Sequence, residues 1–144
     1  MKNTLLLCCF LTVLVGCKKE PVPAEHSKQV ILPCSQSNNW TPESIDKALQ
    51  GNWLLYRVET ENEQQQSVPY TRLTFSAGHL LVYNMPHSGA SHTGYVVEKR
   101  GANLGIRTDD DVAGVVTGNL HLCGDYLICS ASAVDGSDLF YKRD

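Results

Sequence analysis

TPESIDKALQGNWLLYRVE, residues 41–59, contains a helix, its stop and a strand in one short run. Thr41 is a good N-cap, Pro42 suits the first helical position, and Glu43 suits the positive first turn. Ile45, Ala48 and Leu49 follow i, i+3, i+4 spacing, so one helix face is apolar. Gly51 ends it. From Asn52 the period changes to two, with Leu54, Tyr56 and Val58 as the alternating apolar set, which predicts a strand from Asn52 to Glu59.

Downstream the same signal recurs. Strands are predicted over Thr71–Ser76, His79–Asn84, Thr93–Lys99, Asn103–Arg107, Val112–Leu122, Tyr126–Ala133 and Asp138–Arg143. Alternation is visible in Leu73 and Phe75, Tyr95 and Val97, Leu104 and Ile106, Leu120 and Leu122, and Leu139 and Tyr141. Eight short strands at regular spacing predict an all-β barrel or sandwich. In an up-and-down meander, odd and even turns lie at opposite ends. The even turns, at Ala77-Gly78, Arg100–Ala102 and Cys123–Asp125, are tight. The odd ones, at Thr60–Tyr70, Met85–His92, Thr108–Asp111 and Val134–Ser137, are mostly longer and more polar. One end is thus closed by short turns, and the other carries loops, as at the mouth of a barrel.

The first residues belong to no fold. Lys2 supplies a positive start, and Leu5–Val15 form an apolar run broken by Thr12, too short for the ~20 residues of a membrane-spanning helix. Leu14-Val15-Gly16-Cys17 resembles the bacterial lipobox. The resemblance implies that residues 1–16 are a lipoprotein signal peptide, removed with Cys8 and Cys9. Cys17 becomes the N-terminus and carries a diacylglycerol and an N-acyl chain such as palmitate. Several acyl chains hold a protein durably in a bilayer. The implied location is the outer membrane, with residues 17–40 as a lipidated tether and 41–144 as the barrel domain. The whole chain has a formal charge of −3. A mildly acidic chain without basic clusters argues against a nucleic-acid partner.

Three cysteines remain beyond the anchor: Cys34, Cys123 and Cys129. If Gly124-Asp125 is a two-residue turn, Cys123 opposes Tyr126 and Cys129 opposes Leu120. The two thiols then sit about 10 Å apart along the ladder, beyond the ~7 Å Cα limit for a bridge. Cys34 precedes the helix that leads into the first strand, so it enters from the closed end, where Cys123 also lies. Cys34–Cys123 is the favoured disulfide. The alternative is three free thiols, with Cys129 buried as a small apolar residue. His87 and His92 fall on one polar connection, with Asp109–Asp111 at the same end. Histidines in such loops are usually solvated and aspartate runs usually make turns, so no metal is expected. Asp135–Asp138 lacks the ligands of a calcium loop. No nucleophile elbow, zinc-protease helix or phosphate loop is present, so neither catalysis nor a cofactor is expected.

Gly51-Asn52-Trp53 after a short helix resembles the G-x-W that opens the first strand of lipocalins. Leu139-Phe140-Tyr141-Lys142-Arg143 resembles the close of the lipocalin-like lipoproteins common in Bacteroidetes. The similarity covers Ile45 to Asp144. It implies an eight-stranded up-and-down antiparallel barrel with a short N-terminal helix. It also implies that the tryptophan lies across the closed end under a basic residue of the last strand. Here that is Trp53 with Arg143 or Lys142. Arg143 is favoured, because a planar guanidinium stacks on indole better than an ammonium and its parity matches Leu139 and Tyr141.

Two functions follow. One is a lipid-anchored lipocalin-like barrel that binds a small apolar ligand. The other is an interaction module, such as an enzyme inhibitor or an envelope assembly partner. Lysozyme-inhibitor lipoproteins are also small cysteine-bearing barrels, and Ser88-Gly89-Ala90 resembles their Ser-Gly-Ala loop. A packed barrel interior favours the second function, and a connected apolar cavity favours the first. Cleavage at Cys17 is testable on its own: globomycin should accumulate a full-length precursor. A secreted product with an unmodified Cys17 would contradict the lipobox.

Overall fold

The computed structural model describes residues 27–60, 70–84, 89–110, 115–116, 118–130 and 136–144. Cys17, residues 1–16 and His87 lie outside them.

The opening stretch folds as its chemistry dictates. Helix α2 (Pro42–Leu49) starts at Thr41, whose hydroxyl accepts from the Ser44 N–H while the Ser44 hydroxyl accepts from the Thr41 N–H. Ile45 and Leu49 are fully buried on its apolar face. Gly51 then takes φ +114°, and a Cβ there would lie 3.3 Å from Arg143 Nη1. The backbone conformation favours glycine, and a Cβ there would press on the guanidinium.

Eight strands follow: β1 (Gly51–Glu59), β2 (Thr71–Ser76), β3 (His79–Asn84), β4 (Gly89–Arg100), β5 (Asn103–Thr108), β6 (Asn119–Cys123), β7 (Tyr126–Ser130) and β8 (Asp138–Arg143). Each is antiparallel to its chain neighbour, and β8 pairs with β1 to close the barrel. The expected all-β eight-stranded architecture is present. Inward positions carry Trp53, Leu73, Phe75, Leu80, Val97, Leu122, Leu127, Leu139 and Tyr141, all buried in one cluster that Ile45 and Leu49 cap from the closed end.

Several local expectations change. In β1 the inward set is Trp53 and Leu55, and Val58 rejoins it after a register shift between Leu55 and Arg57. Leu54 and Tyr56 alternate with that set and point outward, and the bulge at Tyr56 shifts the parity so that Val58 and not Arg57 faces the core. β4 begins at Gly89, so Ala90 and His92 are ladder residues and not loop residues. β6 spans Asn119–Cys123, and residues 112–114 and 117 of the expected strand lie outside the described residues. Gly118 has φ +89°, which breaks an extended run, and Val116 turns into the core instead.

The largest departure lies in the expected tether. Lys28–Ser37 is a helix, α1, despite Pro33 within it. Pro33 removes a helical N–H, so the helix depends on what it packs against. Ile31 is buried on Ile128 and Phe140, outward residues of β7 and β8, with Tyr56 and Tyr126 at the margin. Lys28 pairs with Asp138 at the start of β8. Cys34 is bonded to Cys123 at the end of β6, with Cα atoms 5.7 Å apart. α1 therefore runs along the outside of the barrel from the loop end to the closed end.

The ladder between β6 and β7 pairs Cys123 with Tyr126 and Leu120 with Cys129, which keeps Cys129 away from Cys123. Cys129 remains a free, buried thiol, its pKa pushed up to about 12 by desolvation. The Cys34–Cys123 bridge spans 89 residues of sequence. Long closed loops restrict the unfolded chain most, so replacing both cysteines with serine should cost about 2–4 kcal/mol in urea melts. Non-reducing peptide maps should link Cys34 to Cys123. A melt unchanged by the double substitution would show that α1 docks without its bridge.

Candidate functional site

The closed end is built around one indole. Trp53 is fully buried, and its Nε1–H donates to the Leu49 carbonyl at 2.7 Å. Arg143 is its ladder partner across β1 and β8, and the guanidinium carbon lies 4.3 Å from the ring centroid. The same guanidinium donates to Ala48 O at 2.7 Å, to Gln50 O at 2.8 Å and to Asp125 Oδ1 at 3.1 Å. Ala48 and Gln50 supply carbonyls at the C-terminal end of α2, where a cation is favoured. Lys142 lies instead on the outer face, 5.9 Å from the Tyr126 ring. A second contact anchors α2: the Tyr95 hydroxyl donates to Asp46 Oδ1 at 2.6 Å and accepts from Gln50 Nε2 at 2.8 Å. Burial and the Asp46 carboxylate together push the Tyr95 pKa up.

Toward the loop end, the interior is entered by the chain itself. Val116, from the β5–β6 connection, is 3% exposed and belongs to the core cluster. Beside it, the carbonyl of Val115 accepts a hydrogen bond from the Tyr141 hydroxyl. Tyr141 is fully buried, so this bond satisfies a polar atom deep in the barrel. Nearer the closed end, beside α2, Phe75 and Tyr95 pack edge to face with centroids 5.1 Å apart.

One side of the wall is thinner. β5 and β6 share a single ladder pair, Gly105 with Asn119. Below it, β6 is completed by side chains from the N-terminal segment. The Leu122 N–H donates to Ser35 Oγ at 3.0 Å, and the Leu122 carbonyl accepts from Trp40 Nε1 at 3.0 Å. A cavity of about 290 Å³ opens on this seam, lined in part by Ser35, Trp40, Asn103 and His121. Desolvation, with Lys28 nearby, holds the His121 imidazole below its usual range. Ser35 and Trp40 were not singled out from the sequence. Trp40, a large aromatic just before a helix N-cap, was the available signal.

The other residues considered from the sequence are dispersed. His92 is an exposed β4 residue whose ring lies beside that of His79. Asp109 and Asp110 follow β5 and are exposed, and Asp111 and Asp135 lie outside the described residues. Asp138 is buried against Lys28. Among the described residues no group of three or more histidine, cysteine or carboxylate side chains is arranged to hold a metal. Among them, too, no helix is long and apolar enough to cross a membrane. No protein-family model, curated protein or solved structure matches the chain.

The closed-end geometry separates two substitutions. Trp53→Ala removes a fully packed ring and should cost about 3–5 kcal/mol. Arg143→Ala loses the stacking and leaves two α2 carbonyls without their cationic donor, for about 2 kcal/mol. Arg143→Lys should recover less than half of that, since an ammonium cannot reproduce the fork. Urea melts of the three variants check the order. Full rescue by lysine would show that charge alone is what matters there.

Proposed function

We propose that this chain is a lipid-anchored lipoprotein of the cell envelope whose lipocalin-like barrel acts through its outer surface, as an interaction module. The anchor is Cys17, in the outer membrane. The likeness to lipocalins rests on Gly51-Asn52-Trp53, on the helix before it and on Arg143 over the indole. The partner class is protein, such as an enzyme to be inhibited or an envelope assembly component. No catalytic step is assigned.

The observation that carries the choice is Val116. In a ligand-binding calyx the space above the closed end must be free to take the guest. Here that interior holds Val116 and Tyr141, with Val115 tied to Tyr141 by a hydrogen bond. A guest would have to displace Val116 and break a buried polar contact, which opposes binding. Ligand carriage, the first of the two functions expected from sequence, is therefore the weaker alternative.

A titration distinguishes them. N-phenyl-1-naphthylamine, an apolar dye that brightens in dry cavities, should show no saturable fluorescence rise with the chain that begins after Cys17. A saturable one-to-one rise, displaced by a fatty acid, would overturn the packed-barrel reading and restore the ligand carrier.

A further inference from the structure

We propose that His79 and His92 form a two-imidazole site for a divalent transition metal on the outer face of the barrel. The two residues lie on neighbouring antiparallel strands. His79 is paired with Gly94 and His92 with Leu81, so the histidines occupy a diagonal on one face of the β3–β4 ladder. Both are exposed. Their ring centroids are 5.1 Å apart, with 19° between the planes.

That separation suits chelation. With metal–nitrogen bonds of about 2.0–2.1 Å, a metal lies roughly 3.2 Å from each ring centroid. Centroids 5.1 Å apart then subtend about 105° at the metal, close to the tetrahedral angle. One ring must turn about its Cβ–Cγ bond to bring a nitrogen toward the other, and that torsion is soft in an exposed imidazole. The strands meanwhile fix the two Cα positions, so little further ordering opposes binding.

The surroundings favour a cation. Gly94, the partner of His79, carries no side chain, and the Asp109 carboxylate lies over it. A Cβ at Gly94 would fall 2.1 Å from Asp109 Oδ2. The Asp109 N–H donates to the Gly94 carbonyl at 3.0 Å, which holds the aspartate in line with His79 across the sheet. Its negative charge adds to the attraction without closing a three-ligand group among the described residues. Water completes the coordination shell. Neutral imidazole nitrogens suit zinc, nickel and copper(II) better than magnesium or calcium.

The test uses the untagged full chain in detergent, stripped with a chelator, and isothermal titration with zinc, nickel or copper(II) chloride. The expected result is one metal per chain with micromolar affinity, weakened at least about tenfold by His79→Gln or by His92→Gln. Asp109→Asn should weaken it less. Protons compete with a metal for imidazole nitrogens, so binding should be weaker in acid. Both histidines are exposed, so the far-ultraviolet circular dichroism of the variants should match wild type. The proposal is overturned if none of the three metals saturates near one equivalent. It is equally overturned if the double variant His79→Gln, His92→Gln binds as wild type does, which would place the metal on other histidines.

Discussion

Burial of the Trp53 indole between α2 and Arg143 is the contact on which the rest of this structure depends. A ring of that size gains more from leaving water than any other single group in a small core. Its one polar atom must find a partner, and the Leu49 carbonyl provides it. Its upper face meets Arg143, which binds the carbonyls of Ala48 and Gln50 at the same time. One arginine thus ties the last strand to the first strand and to the helix before it. The closure of β8 on β1 and the seating of α2 at the barrel end are one event physically.

With that end fixed, the two outer faces of the barrel differ. Over β7 and β8, α1 covers Ile128 and Phe140 and is secured by Cys34–Cys123, while Arg57 lies over Phe140 at 3.8 Å. On the outward side of β3 and β4, Leu81, Tyr83, Val96, His79 and His92 are exposed. Among the described residues, Val116 and Tyr141 occupy part of the interior, while the outward side of β3 and β4 is exposed. The proposed interaction role and the proposed imidazole site both draw on that asymmetry.

Much of this was legible in the sequence. The alternations Leu73–Phe75 and Leu139–Tyr141 report strands directly, because a pleated strand sends every second residue to one face. The parity of short and long turns predicts which cysteines can meet, and Cys34 and Cys123 do. What was hidden has physical reasons. The bulge at Tyr56 shifts the inward set from Trp53 and Leu55 to Val58, so the alternation of Leu54, Tyr56 and Val58 does not mark one face. Pro33 argues against a helix, yet α1 exists because Ile31 and a disulfide hold it from outside. Val116 enters the core from a connection, where no periodicity points inward. The His79–His92 pair was invisible because the two residues are neighbours only through the register of β3 on β4.

Hydrogen exchange at the two indole N–H groups tests the central claim most directly. The chain has two tryptophans, and both donate to carbonyls: Trp53 to Leu49 and Trp40 to Leu122. Trp40 is half-buried, at the seam beside α1, and Trp53 is fully buried at the closed end. If the closed end holds the barrel together, the Trp53 indole proton should exchange only through global unfolding, at the rate of the slowest β1 and β8 amides, while Trp40 exchanges sooner through local opening. A Trp53 proton that exchanges faster than those amides would contradict the account, since the closed end would then open while the barrel stays folded.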